Sequence, residues 1–198
     1  MWIRAAALGA VVLATAAAAG LVVAGDGVTH IAGYVSESGV AGAARPDLYR
    51  LSIFAIAGAV ALLALAVREV SGHAAVLFLA AVPAVVASGS VPCSAGCPLP
   101  PYQKATAADL VHAGASIAGM VLCTAGMVAI ALRATDRVVR LTTASGLALA
   151  VPLQAGTGLA MLIAGRGTVT GALERAAVAV SLVWLVGVAL TRAVRRKP

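Results

Sequence analysis

Residues 5–25 read AAALGAVVLATAAAAGLVVAG, an uninterrupted stretch of 21 residues without a charge. A membrane-crossing helix takes about 20 consecutive apolar residues, whereas the core of a secretory signal has about 7–15. With one positive residue, Arg4, ahead of it, the stretch reads as a retained membrane helix. A cleaved signal ending near Ala24 is the competing reading. Five further apolar runs follow, at about 51–67, 74–90, 110–132, 141–164 and 169–190. The expected fold class is therefore all-α: a polytopic membrane protein forming one six-transmembrane-helix domain over residues 1–198.

Composition points the same way. The chain is 62% hydrophobic and 11% charged, with a mean hydropathy of +1.03. Soluble domains run at about 45–50% apolar and about 25% charged, so a water-soluble monomer and a disordered chain are both excluded. The formal charge of +7 would suggest nucleic acid in a soluble protein. Here the basic residues sit at the ends of apolar runs, which marks them as topogenic, with no nucleic-acid partner expected. With the N-terminus inside, the inner side holds Arg4, Arg68, Arg133, Arg137, Arg140, Arg192, Arg195, Arg196 and Lys197 against Glu69 and Asp136. The outer side holds five basic and five acidic residues and is neutral. The bias predicts both termini in the cytoplasm, in a multi-pass protein of the cell membrane. The Ala, Val, Gly and Arg richness is of an actinobacterial type.

The unusual polar residues then gather on the outer side. Cys93 and Cys97, spaced C-x3-C in the Pro-rich stretch Val91–Tyr102, are expected to oxidise to an intraloop disulfide, two free thiols being the alternative. That loop offers no His, so no metal site is read there. Cys123 reads as mid-span packing. Asp109 and His112 stand at i and i+3 at the start of the fourth span, on one helix face with Ser116. Asp109 is expected either to orient the imidazole or simply to favour the helix dipole. Glu174 and Arg175 lie one turn into the sixth span, and Gln154 near the middle of the fifth needs a partner inside the bundle. The first loop, about 24 residues against the usual 2–8, carries His30, Tyr34, Ser36 and Glu37 between apolar residues. It is expected to fold back over the bundle mouth and bring Glu37 or His30 toward the Asp109–His112 face. Arg45, Arg50 or Arg175 would be at hand for a phosphate.

Two strings carry a family resemblance: Tyr-Val-Ser-Glu-Ser-Gly at 34–39, followed by Pro46-Asp47, and Asp-Leu-Val-His-Ala-Gly-Ala at 109–115. The chain resembles the bacterial membrane family called domain of unknown function 998, and more distantly the DRAM and Sfk-type families. The resemblance spans all six runs and implies a six-helix membrane protein with no established activity. The eukaryotic relatives imply lipid handling and membrane trafficking. The matching positions are Tyr34, Ser36, Glu37, Gly39, Pro46, Asp109 and His112. The Cys-Pro loop has no counterpart in that pattern.

No Walker loop, HExxH or Gly-x-Ser-x-Gly elbow occurs, and nothing calls for a cofactor. The leading expectation is a non-catalytic protein that binds membrane lipids or a membrane-protein partner at its outer face. An intramembrane lipid hydrolase or transferase built from His30, Glu37, Asp109 and His112 is the alternative. A small-solute transporter is a third, resting mainly on Gln154.

Overall fold

The computed structural model describes residues 1–25 and 31–194. Their architecture follows from where the apolar runs can start and stop. Six helices form: α1 (Trp2–Ala24), α2 (Pro46–Val67), α3 (Gly72–Ser90), α4 (Ala107–Arg133), α5 (Arg137–Ile163) and α6 (Thr168–Val194). Several begin before the apolar runs because polar caps start them. Pro46 opens α2 with its φ preset for a first helical position. The Thr106 hydroxyl accepts from the Asp109 N–H at the start of α4, and Asp136 accepts from Val138 and Val139 at the start of α5. Pro83 and Pro152 lie inside α3 and α5 without ending them.

All six helices are long and apolar enough to cross a membrane. Consecutive helices pack together and α6 returns against α1, so the bundle is a closed ring. Outward-facing Val121, Leu149 and Val183 are 57–72% exposed. That is untenable in water for so many large apolar residues and ordinary against lipid. The seams are made of small residues: Ala7, Ala10 and Ala14 on α1 and Ala59 and Ala64 on α2 are fully buried. The ring centre is filled instead by Phe78 of α3 and Trp184 of α6, ring centroids 6.0 Å apart. Glycines make room for them. A Cβ on Gly126 would lie 2.5 Å from the Phe78 ring, and one on Gly146 would lie 2.5 Å from Trp184. Gln154 accepts a hydrogen bond from Thr124 across the α4–α5 seam at 2.8 Å.

The antiparallel order places the 31–45, 91–106 and 164–167 segments at one end, here called the roof. The short 68–71 and 134–136 turns lie at the other, with the start of α1 and the end of α6.

Candidate functional site

Each roof segment is held by a polar group reaching from another part of the chain. In the first loop, Val35–Gly39 forms a short 3-10 turn. The Tyr34 N–H donates to Glu37 Oε1 at 2.8 Å, closing the turn on itself. Arg166, in the turn between α5 and α6, donates to both oxygens of the same carboxylate, from Nε at 2.7 Å and Nη2 at 2.8 Å. Such a fork fixes direction as well as distance. Glu174 Oε2 accepts from the Val35 N–H at 2.9 Å. Arg175 Nη1 donates to the Gly33 carbonyl at 2.7 Å and to that of Gly171 at 3.0 Å. A Cβ on Gly171 would overlap the Ile31 and Gly33 carbonyls, so glycine lets the loop lie directly on α6.

Burial raises the Glu37 carboxyl, but hydrogen bonds from Arg166 and Tyr34 and the charges of Arg166 and Arg175 outweigh it and hold it below the usual range. The Glu37 hydrogen bond raises the Arg166 guanidinium in turn. Burial, then the Glu174 and Glu37 carboxylates, push the Tyr34 phenol up.

The third loop is the second layer. Cys93 and Cys97 are joined as a disulfide, with Cα atoms 5.0 Å apart. Both pack under Tyr34 with Val40, Leu99 and Met161 around them. Ser36 donates to Cys97 Sγ at 3.2 Å. On the other side of the bridge, Asp109 accepts from the Ser94 N–H at 2.6 Å and hydroxyl at 3.2 Å. It also accepts from the Thr106 N–H at 2.8 Å and hydroxyl at 2.7 Å. The Tyr102 hydroxyl donates to the Leu162 carbonyl at 2.7 Å and also contacts that of Ile163, both at the end of α5.

Between the end of α1, the first loop and the α5–α6 turn lies a pocket of about 250 Å³. Its polar lining is Tyr34, Glu37, Ser38, Arg166 and Arg175, with Gly33 and Ala24 among the apolar and backbone surfaces.

With the roof in view, comparison with known proteins gives one match: the profile of the family described as "Protein of unknown function (DUF998)" covers residues 5–191. The chain belongs to the DUF998 family. No curated protein and no solved structure matches it.

In this DUF998 member most of the described outer-face residues singled out from sequence fall into two networks. Tyr34, Glu37, Glu174 and Arg175 share the first, together with Arg166. Asp109 belongs to the second, and Ser36 reaches it through Cys97. His30 lies outside the described residues. One expectation is corrected. Asp109 does not orient His112, because its carboxylate is filled by Ser94 and Thr106. The imidazole turns sideways, its Nδ1 lying 2.9 Å from both the Ser88 and Val91 carbonyls. Two carbonyl neighbours make Nδ1 the protonated nitrogen. Glu37, one of the two residues expected toward the Asp109–His112 face, is held by Arg166, and the other, His30, is not among the described residues. Arg45 donates to the Val23 carbonyl at 2.9 Å, and Arg50 lies 3.9 Å from Asp47. Among the described residues, no three His, Cys, Asp or Glu side chains converge as a metal set would require.

Arg166, Ser94 and Thr106 were the functional partners that sequence reasoning missed. Thr106-x-x-Asp109 before an apolar run is a capping-box signature and would have pointed to Thr106. Arg166 had no local signal, since its partner is 129 residues away.

Proposed function

We propose that this DUF998 protein is a non-catalytic membrane protein whose roof faces the outside and binds the polar head group of a phospholipid beneath the first loop. The carrying observation is the pocket of about 250 Å³, with both signs of charge in its lining. Sites for drug-sized ligands run at about 300–1,000 Å³, so the volume suits a head group better than a whole lipid or an extended sugar. Arg166 and Arg175 suit a phosphate, and Glu37 suits an amine. A phosphate–amine head group matches this lining better than a bare anion. The positive-inside charge split supports the outward orientation of the roof.

The arrangement favours binding over catalysis. The Asp109 carboxylate has four donors and Glu37 has three, so neither is poised as a base, and they belong to separate networks.

Native mass spectrometry of the detergent-extracted protein titrated with phosphatidylethanolamine tests the reading. The wild type should retain one such lipid, and Arg166→Gln should weaken retention by roughly the tenfold that one charge-assisted hydrogen bond carries. Equal retention by the two proteins, or none by the wild type, refutes it.

A further inference from the structure

The end of the bundle opposite the roof carries a second pocket, of about 260 Å³. Its floor is Ala125, Val128, Ala129 and Leu132 of α4. These stand at i, i+3, i+4 and i+7, one helix face about 10 Å long. Leu132 is 78% exposed, so the groove opens outward to where lipid chains would lie. His73, in the first turn of α3, and Arg133, the last residue of α4, line the same pocket.

The other arginines near this end that make polar or ring contacts do so with the protein. Arg192 donates to the Ala66 carbonyl at 3.2 Å and lies 3.8 Å from Glu69, and Arg68 sits 3.8 Å over the Trp2 ring. Among the described residues, none engages the His73 or Arg133 side chain by hydrogen bond or ion pair. The groove thus combines an apolar track with two donors at its polar end.

We propose that this groove seats one anionic phospholipid, an acyl chain lying along the α4 face and the phosphate held between Arg133 and His73. The guanidinium is permanently charged and its fork matches two phosphate oxygens. The imidazole carries an N–H in either charge state. The first turn of α3 adds the positive end of a helix dipole beside His73. Basic pockets between transmembrane helices recognise lipid anions on these terms, and Arg137 and Arg140 add to the positive field at this end. The site is separate from the roof pocket and does not depend on that reading.

The test uses the full chain in nonionic detergent, titrated with phosphatidylglycerol and with phosphatidylcholine and followed by native mass spectrometry. The wild type should retain one phosphatidylglycerol in preference to phosphatidylcholine. Arg133→Gln should cut the preference about fivefold, and the Arg133→Gln/His73→Ala double variant should abolish it. Ala129→Leu fills the floor without altering charge and should reduce retention as well. A wild type that holds both lipids equally overturns the proposal. So does a double variant that keeps the wild-type preference. If the charge variants unfold in lipid-free detergent, Ala129→Leu decides alone, and unchanged retention there overturns the site.

Discussion

Replacing Asp109 with Asn changes one atom and removes one charge, yet the roof geometry makes it costly. Asp109 is 1% exposed. One carboxylate oxygen faces the Ser94 N–H at 2.6 Å and the other faces the Thr106 N–H at 2.8 Å. An amide has a single acceptor oxygen, so in either orientation its NH2 confronts one of these backbone donors. The Ser94 and Thr106 hydroxyls can rotate to accept, but an N–H cannot. A stranded buried donor costs about 1–3 kcal/mol, and exchanging charged for neutral acceptance costs about 1 kcal/mol more. Relief from burying a charge offsets part of this, leaving a destabilisation of about 2 kcal/mol. For a chain of this length that corresponds to about 4–8 °C in Tm. Thermal unfolding of wild type and Asp109→Asn in the same detergent measures it. Thr106→Val, which removes the cap hydroxyl that accepts the longer bond from the Asp109 N–H, should cost about 1 kcal/mol. An Asp109→Asn protein that melts within 1 °C of wild type, on the order of 0.3 kcal/mol by the same conversion, would refute the donor accounting.

Three further outcomes are expected. The Glu37 carboxyl is held low, so its contribution is present above about pH 4.3, the ordinary glutamate value, and fades as pH falls through its lowered folded value. The difference in Tm between wild type and Glu37→Gln should be about 1 kcal/mol in equivalent stability at pH 7, modest because Arg166 is 45% exposed, and should vanish in strong acid. A difference that grows on acidification would contradict the sign. Gly126→Ala should destabilise by about 1–3 kcal/mol by pressing on Phe78, whereas Gly114→Ala, with nothing within 4 Å, should be neutral or stabilising by up to about 1 kcal/mol. Equal Tm shifts for the two would refute the packing at the ring centre. Reporter fusions after Gly165 and Pro198 should report external and cytoplasmic positions respectively, and the reverse pattern would overturn the orientation.

The six spans were legible because hydropathy over about 20 residues is a summed signal that no single residue can spoil. Helix ends were less so. Apolar counting began α2 near Leu51 and α5 near Leu141, while the helices start at Pro46 and Arg137. Polar first turns extend beyond the apolar stretch and are marked by caps rather than hydropathy. The i,i+3 spacing of Asp109 and His112 was real, yet spacing states only that two side chains share a face. A carboxylate three residues after Thr106 reaches back to the cap, and the imidazole was drawn to carbonyls at the end of α3. The Glu37–Arg166 fork was invisible because nothing local to a Gly-Arg-Gly turn names a partner in another loop.

A common demand underlies most of these polar placements. The last carbonyls of a helix have no partner within it, and near lipid an unsatisfied carbonyl is more expensive than in water. Arg45 donates to Val23 at the end of α1, and Arg192 to Ala66 at the end of α2. His112 serves Ser88 and Val91 at the end of α3, and Tyr102 serves Leu162 and Ile163 at the end of α5. Two side chains that sequence alone offers as catalytic or ligand-binding, Arg45 and His112, are therefore already engaged in closing helix ends. In a small apolar bundle, a polar residue beside a helix terminus has structural work available before any functional work. A ligand site is better sought where a pocket coincides with polar groups that no helix end has claimed. Arg133 and His73 satisfy that condition at one end of the ring. At the other, the roof pocket is lined by Arg166 and Glu37, which bond each other rather than a helix terminus.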